Sequence, residues 1–393
     1  MKSPFKWPLR RRGDAEPRVE SKSGGYGFVT LEAQGSARWT RRDYAALTRE
    51  GYLRNPVVYR AVRLVAEAAS AIPLLLYRGV EELDGPPLTD LLRQPNGRQS
   101  GAAFFEALYS MLLLSGNGYI ELIGAGEALE LHLLRPERIS IETDGQGWPA
   151  SLAYRAGNIK RHIGLIAGER RVADALHLSL FHPLDDHYGF APLEAAATAL
   201  DIHNAASAWN KALIDNSARP SGALVYAPKD GGNLSPDQFD RLKSELRDDY
   251  QGAGQAGRPL LLEGGLDWKP MGLTPKDMDF LEAKNAASRE IALAFGVPPM
   301  LLGIPGDNTF SNYQEANRAF YRLTVLPALA RTLTAFGNWL APEWGEDLRL
   351  TFDADQVDGL ALDRAALWER LGKADFLTDD EKREAVGYAA MPG

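Results

Sequence analysis

The chain has 393 residues, no cysteine and a formal net charge of −8. This length suits two or three domains and is enough to bury a sizeable core. The absence of cysteine excludes disulfides and thiolate chemistry. The negative balance argues against tight nucleic-acid binding, because neutralising phosphates requires a basic surplus. The basic N-terminus has no apolar run after it, so no signal peptide is predicted, and the longest apolar runs are too short to span a membrane.

The first 190 residues are predicted to form an arm followed by a mixed domain. Residues 1–50 are rich in Arg, Gly, Pro and Ser, which is typical of a mobile arm, either disordered or lying over a neighbouring subunit. Asn55 suits a helix N-cap and Pro56 suits the first helical position. A second helix follows Ser100, and strand-like segments with Gly-rich turns follow. We therefore predict a helix-and-strand domain over 51–191.

Two long helices are predicted on either side of a small insert. Residues 192–218 are dominated by Ala and read as one long helix that suits close side-by-side packing. The insert, 219–275, combines short strands with a helix for which Ser235 is the predicted N-cap. The second long helix is predicted over 276–296, with Gly296 as a C-cap.

The segment 297–312 contains two adjacent prolines, a short apolar patch and then a run of Gly, Pro, Asp, Asn and Thr. Its two later glycines, Gly303 and Gly306, permit a sharp backbone course. From these residues alone, an ordinary solvated loop and a specialised projecting loop remain equally open. A long helix and a strand are predicted over 313–355, with a kink at Pro327, and short helices over 356–393.

Enzyme motifs are scarce in this sequence. It contains no P-loop and no Gly-x-Ser-x-Gly nucleophile elbow. One cluster of metal-ligand residue types stands before the first long helix, and it supports either a metal-dependent hydrolase or a polar loop without chemistry. No cofactor is predicted. The members of the cluster are His182, Asp185, Asp186 and His187, with His177 and His203 nearby.

The order of these segments resembles the portal proteins of tailed phages, most closely the short type of long-tailed, non-contractile phages and of gene transfer agents. The resemblance covers about residues 50–388. It rests on NPVVYRAVRLVAEAASAIPL, GNGYIEL, LHLLRPERIS, HYGFAPLEAA, NSARPSGAL and LSPDQFDRLKSEL. The most specific stretch is MDFLEAKNAASREIALAFGVPPMLLG followed by TFSNYQEANRAFYRLTVLPAL.

This resemblance implies an α+β, portal-like fold and assigns a name to each segment. The segments are a wing (51–191), a first stem helix (192–218), a clip (219–275), a second stem helix (276–296), a tunnel loop (297–312), a long kinked helix with a wing strand (313–355) and a short crown (356–393). An acidic pair, Asp185 and Asp186, departs from the family pattern as we read it.

The resemblance also implies a non-enzymatic virion protein, assembled in the bacterial cytoplasm and located at the capsid vertex without contact to a membrane. It implies a homo-oligomeric ring, dodecameric in the particle, whose channel passes double-stranded DNA without sequence specificity. The implied partners are the major capsid protein, the terminase large subunit and the head–tail adaptor. A metal-dependent hydrolase and a non-viral oligomeric scaffold are the alternatives.

Three groups of residues are expected to matter in such a ring. A basic channel lining would bind phosphates and slow the DNA, so the cations of the second stem helix are expected to pair with acids. Clip residues are selected by type, as aromatic and Arg side chains that suit an interface. The groups are the tunnel loop (Gly303, Gly306, Asp307, Asn308, Thr309, Phe310), the stem (Glu282, Lys284, Arg289, Glu290) and the clip interface (Tyr226, Arg241, Arg247, Trp268).

Overall fold

The structure is a computed structural model of the chain. The residues that it describes are 39–79, 81–83, 87–168, 170–215, 222–226, 235, 237–238, 240–241, 244, 266–270, 280–306, 309–344 and 348–386.

The N-terminal half of this part contains two long helices, shorter ones and most of the strands. Its helices are α1 (Tyr44–Glu50), α2 (Pro56–Ser70), α3 (Pro87–Arg93) and α4 (Gly101–Ser115). Its strands are β1 (Leu74–Arg78), β2 (Glu81–Glu82), β3 (Asn117–Ile123), β4 (Glu130–Leu134), β5 (Ile139–Thr143), β6 (Pro149–Ala156), β7 (Ile159–Gly164) and β8 (Ala175–Ser179).

The C-terminal half is mainly helical. Its helices are α5 (Pro192–Ala195), α6 (Ala197–Asp215), α7 (Phe280–Ala294), α8 (Phe310–Phe320), α9 (Leu326–Trp344), α10 (Ala361–Gly372) and α11 (Asp379–Ala385). Its strands are β9 (Gly222–Tyr226), β10 (Leu266–Pro270) and β11 (Leu348–Phe352). A 3-10 helix covers Pro299–Leu302, and a π-helical turn, Tyr321–Val325, joins α8 to α9.

Helix α2 begins where the sequence predicts it. The Asn55 side chain accepts hydrogen bonds from the backbone N–H groups of Val57 and Val58, and Pro56 occupies the first helical position. Both features satisfy or remove N–H groups that have no partner at a helix start. The buried face of α2, with Val58, Val62 and others, packs on α4 in the main core, which also contains Leu108, Phe336 and Leu340.

All the paired strands are antiparallel and form small sheets. β1 lies between β11 and β2, β3 lies between β4 and β8, and β6 lies between β5 and β7, while β9 and β10 form a separate pair. The β11–β1 pairing joins residues 270 to 278 positions apart, so the C-terminal half closes onto the N-terminal one. A second, smaller core underlies the β5–β6–β7 sheet.

Two boundaries differ from the sequence prediction. Helix α1 lies within the segment that the sequence assigned to a mobile arm. Asp43 caps this helix, and its residue Leu47 is buried. The Asn204 side chain on α6 donates a hydrogen bond to the Glu50 carbonyl and so attaches α1 to the domain. Residues 1–38 of that arm lie outside the described residues. The first long helix is interrupted at Ala196, which ends α5 one residue before α6 begins.

The sequence predicts a helix kink at Pro327, and the structure has an irregular, π-helical turn directly before this residue. Pro327 is the second residue of α9, and the π-helical turn ends just before that helix. Proline has no N–H to donate to the carbonyl four residues earlier, so the preceding turn cannot keep a regular α-helical ladder. None of the helices among the described residues is both long and apolar enough to cross a membrane.

Candidate functional site

The loop between α7 and α8 has a folded course over the residues described, 295–306 and 309. Gly296 follows α7 with a φ of +65°, and Gly303 ends the 3-10 helix with a φ of +71°. Both lie in the left-handed region that favours glycine. Ile304, between Gly303 and Gly306, is buried. The loop therefore turns back on the protein at Gly303.

Arg289 of α7 is in contact with the far side of this loop. Its guanidinium donates a hydrogen bond to the backbone carbonyl of Pro305. A Cβ added at Gly306 would lie 2.8 Å from the Arg289 Nη2 atom, so the bare glycine lets the guanidinium approach. The structure thus brings together Arg289 and Gly306, which the sequence assigned to two different groups.

The end of the loop is fixed by a helix cap. Thr309 accepts a hydrogen bond from the Asn312 N–H at 3.3 Å and is the N-cap of α8, and Phe310 is the first residue of that helix. Helix α8 therefore starts three residues before the predicted position. Asp307 and Asn308 lie outside the described residues, so their proposed place at the loop tip stays a prediction.

A contact with the π-helical turn fixes the beginning of the loop. The Thr324 hydroxyl donates to the Gly296 carbonyl at 2.6 Å. A Cβ at Gly296 would lie 2.7 Å from the Thr324 Oγ1 atom, so glycine is required for the approach as well as for the positive φ. Sequence reasoning missed Thr324, because no local pattern links it to a residue 28 positions earlier.

Helices α6 and α7 pack against one another. On α7 the side chains of Ala287, Ser288 and Ile291 are buried, whereas Leu281 and Leu293 are 70% and 78% exposed. Of the predicted stem residues, Glu282, Arg289 and Glu290 are exposed and Lys284 is half-buried. The described contact of Arg289 is the Pro305 carbonyl, and the acid pairing of Lys284 and Arg289 stays a prediction.

A buried polar cluster connects α6 to the start of α2. The Asn55 Nδ2 atom lies 2.9 Å from the His203 Nδ1 atom and donates to the Asn204 Oδ1 atom at 2.9 Å. Asn55 and His203 are 1% and 3% exposed. Burial, and then the charge of Lys284 on α7, lowers the pKa of His203 below its ordinary value. The His203 ring is therefore neutral at pH 7, and its Nδ1 atom accepts a hydrogen bond from the Asn55 Nδ2–H.

The candidate metal ligands have separate structural partners. His177 stacks on Tyr119, with ring centroids 4.6 Å apart. The Asp185 carboxylate accepts hydrogen bonds from the N–H groups of His187 and Tyr188, which lower its pKa. The His182 Nδ1 atom accepts from the Leu184 N–H. Among the described residues, no three His, Cys, Asp or Glu side chains are grouped to hold a metal ion.

The predicted clip is described in part. Tyr226 lies opposite Leu266, and Trp268 lies opposite Leu224 in the β9–β10 pair. Ser235 accepts a hydrogen bond from the Gln238 N–H, as expected of a helix N-cap. Arg241 is helical and exposed, and Arg247 is outside the described residues. The clip interface therefore remains a prediction.

Comparison with known proteins gives matches along nearly the whole chain. A family model for phage portal protein matches residues 56–387. A Rickettsia bellii protein is 41% identical over 340 residues, 86% of this chain and 88% of the relative. The probable portal protein of Streptomyces phage phiC31 is 27% identical over 355 residues, 86% of this chain and 76% of that protein. A solved chain from the neck of an empty gene transfer agent (GTA) particle, computed with C6 symmetry, is 50% identical with a TM-score of 0.72 and covers 92% of this chain and 98% of that chain.

Proposed function

Because the chain belongs to the phage portal protein family, we propose that it forms a ring at one vertex of a phage-like particle. This ring surrounds the channel through which double-stranded DNA enters during packaging and leaves during ejection. The observation that carries the proposal is the similarity to the chain in the neck of a GTA particle, which is 50% identical over 92% of this chain. A gene transfer agent particle is therefore the kind of particle that fits best.

A closed ring needs two different surfaces on each subunit that meet in turn around the axis. The exposed apolar residues of α6 and α7 suit such surfaces, since Ile202 and Trp209 are 40% and 43% exposed and Leu281 and Leu293 are more so. Burying these side chains against a neighbour would stabilise the assembly by removing apolar area from water. In this proposal α6 and α7 are the stem helices of a ring that is dodecameric in the particle.

In the same proposal the segment 297–312 is the tunnel loop, directed towards the DNA. Its support comes from two contacts, Thr324 with Gly296 at the base of the loop and Arg289 with Pro305 on its far side. A loop attached in this way can present Asp307 and Asn308 to the channel while its ends stay in place. A polar, weakly negative tip would not bind phosphates, so DNA could slide past it.

The ring is proposed to act through binding and not through catalysis. Its partners would be the major capsid protein around it, the terminase large subunit at the clip during packaging and the head–tail adaptor afterwards. The region 219–275 is the proposed clip, with Tyr226, Arg241, Arg247 and Trp268 as contacts. Nothing in the described part of the chain favours the metal-dependent hydrolase, because His177, Asp185 and His203 are each held by hydrogen bonds or stacking within the protein.

Electron microscopy and mass photometry of the purified full-length chain test the ring. We expect rings of about a dozen subunits with a central hole. The same chain should be located at the neck when labelled in particles. A chain that stays monomeric alone and is absent from particle necks would contradict the proposal.

A further inference from the structure

A charged cavity of about 900 Å³ lies between α8, the π-helical turn, α10 and the end of α11. Its charged lining consists of four arginines and two aspartates, which leaves a surplus of two positive charges. The residues are Arg318, Arg322, Arg364, Arg370, Asp355 and Asp363. The net charge of the whole chain is negative, so this cavity is a local exception.

The two aspartates of the cavity are already paired. The Arg318 Nε atom donates to the Asp363 carboxylate at 2.8 Å, and Arg364 forms an ion pair with Asp355. Arg322 and Arg370 are exposed, and neither makes a hydrogen bond or ion pair within the described part of the chain. These two guanidiniums are the ones available to an incoming anionic group.

Apolar side chains complete the lining. Leu326 and Leu367 face the cavity, and Trp368 lines it while 50% exposed. The Arg364 guanidinium lies 5.5 Å from the centroid of the Trp368 ring. A cavity with free arginines beside an apolar wall suits a peptide segment that combines carboxylates with apolar side chains.

The chain itself contains such a segment, in the loop that follows β8. Phe181 is 80% exposed and Leu184 is 91% exposed. Asp185 and Asp186, directly after Leu184, are exposed as well. The Asp185 carboxylate accepts hydrogen bonds from the N–H groups of His187 and Tyr188 and so stabilises the turn. Asp186 is therefore the carboxylate that is available to a partner. Two large apolar side chains beside this charge pair are costly to leave in water.

We propose that, in the ring, the loop Phe181–Asp186 of one subunit docks into the arginine-lined cavity of its neighbour. Leu184 would contact the apolar wall near Trp368, and Asp186 would pair with Arg322 or Arg370. A projecting acidic loop and a basic cavity are two unlike surfaces, as a heterologous ring contact requires. This inference rests on the ring of the proposed function and assigns a role to the acidic pair, which the portal resemblance did not explain.

Cross-linking between subunits tests the contact. The chain has no cysteine of its own, so only the introduced cysteines can react with the cross-linker. Subunits carrying Pro183→Cys are co-assembled with tagged subunits carrying Ala366→Cys, which lines the cavity. Rings are purified and treated with a short bis-maleimide. We expect a covalent dimer of one tagged and one untagged chain. The matched control is Ala365→Cys, exposed on the same helix but about 100° further around its axis.

Exchanging the charges of the two partners tests whether Asp186 pairs with Arg322 or Arg370. Arg370→Glu together with Arg322→Glu in the tagged subunit should lower the cross-link yield several-fold, and Asp186→Arg in the other subunit should restore much of it. Rings that form normally but give no dimer above the Ala365→Cys control would overturn the docking and leave the portal function standing. An unmodified chain that neither forms rings alone nor occurs at particle necks would instead remove the proposed function and this contact together.

Discussion

At the scale of single residues, Asn55 is required by two elements at once. Its Oδ1 atom accepts from Val57 and Val58 at the start of α2, and its Nδ2 atom serves His203 and Asn204 on α6. Every polar atom of this buried side chain is used, which is the condition under which a buried polar group does not destabilise the fold.

Asn55→Ala is expected to lower the free energy of unfolding by about 2–4 kcal/mol. About 1 kcal/mol comes from the lost cap and the rest from the buried His203 Nδ1 atom that is left without a donor. Thermal unfolding followed by circular dichroism measures the change. Ser100→Ala, which removes only the cap of α4, should cost about 1 kcal/mol or less. Equal losses in the two variants would show that the link to His203 contributes nothing.

His177 gives a prediction for acid pH. Burial lowers its pKa from 6.5 to about 4. The Asn117 Oδ1 atom accepts from the His177 Nε2–H at 3.0 Å, and burial of the ring disfavours its charged form. In the unfolded chain His177 binds a proton as the pH falls through about 6.5, whereas in the folded chain it stays neutral until the pH falls to about 4. The stability of the fold is therefore complete above pH 6.5 and declines between 6.5 and 4.

From this shift, His177 should account for about 2–3 kcal/mol of the stability lost between pH 6.5 and 4. His177→Gln keeps a side-chain N–H for Asn117 but does not titrate. The variant should be less stable than the parent at pH 7 and lose less stability on acidification. Unfolding midpoints measured from pH 7 to pH 4.5 make the comparison. Parallel curves for the two proteins would exclude His177 as the titrating group.

At the scale of elements, the π-helical turn holds the base of the loop that precedes α8. It presents the Thr324 hydroxyl to the Gly296 carbonyl, and the Tyr321 ring covers Gly359 so closely that a Cβ there would lie 2.3 Å from a ring carbon. π-Turns are frequently found at functional sites, since the extra residue redirects side chains. Here the redirected side chains contact two other segments of the chain.

Thr324→Val should loosen the loop while keeping the side-chain shape. The lost hydrogen bond is worth about 1 kcal/mol, so amide hydrogen exchange of residues 296–306 should become about five-fold faster. Thr334→Val is the matched control, because among the described residues the Thr334 hydroxyl bonds only to the Ala330 carbonyl within α9. Mass spectrometry after exchange reports both. An unchanged rate in Thr324→Val would show that the loop is held by other contacts.

The sequence predicts elements well where the cause is local. The start of α2 follows from Asn55 and Pro56, and the antiparallel strands follow from alternation and turns. The interruption at Ala196 has no local signal, because Ala favours helix, and Leu193 and Ala197 on either side are buried in the core. The contact of Arg289 with Pro305 depends on how a loop folds back over 16 residues, which periodicity cannot report.

At the scale of the whole molecule, the negative net charge of the chain affects how the proposed ring interacts with DNA in its channel. The charge of −8 per chain is repeated in every subunit of a ring, so the potential around passing DNA adds up. The charge change made by a substitution in the loop 297–312 is repeated in every subunit in the same way. The effect of one added lysine per chain on DNA should therefore be much larger in the ring than in a monomer.

Replacing Asp307 and Asn308 by lysine should convert the ring from a weak to a strong binder of duplex DNA. Each subunit gains three positive charges, and phosphate neutralisation makes such binding depend steeply on salt. Filter binding of a duplex by purified rings, at about 50 and 200 mM salt, should show tighter binding that is lost at the higher salt. Particles with the variant should contain less DNA, because bound phosphates slow its passage. Asp375→Lys with Phe376→Lys, the same charge change at exposed positions after α10, should leave packaging near normal. If both variants reduced packaging equally, the effect would belong to overall charge and the loop would have no special access to the DNA.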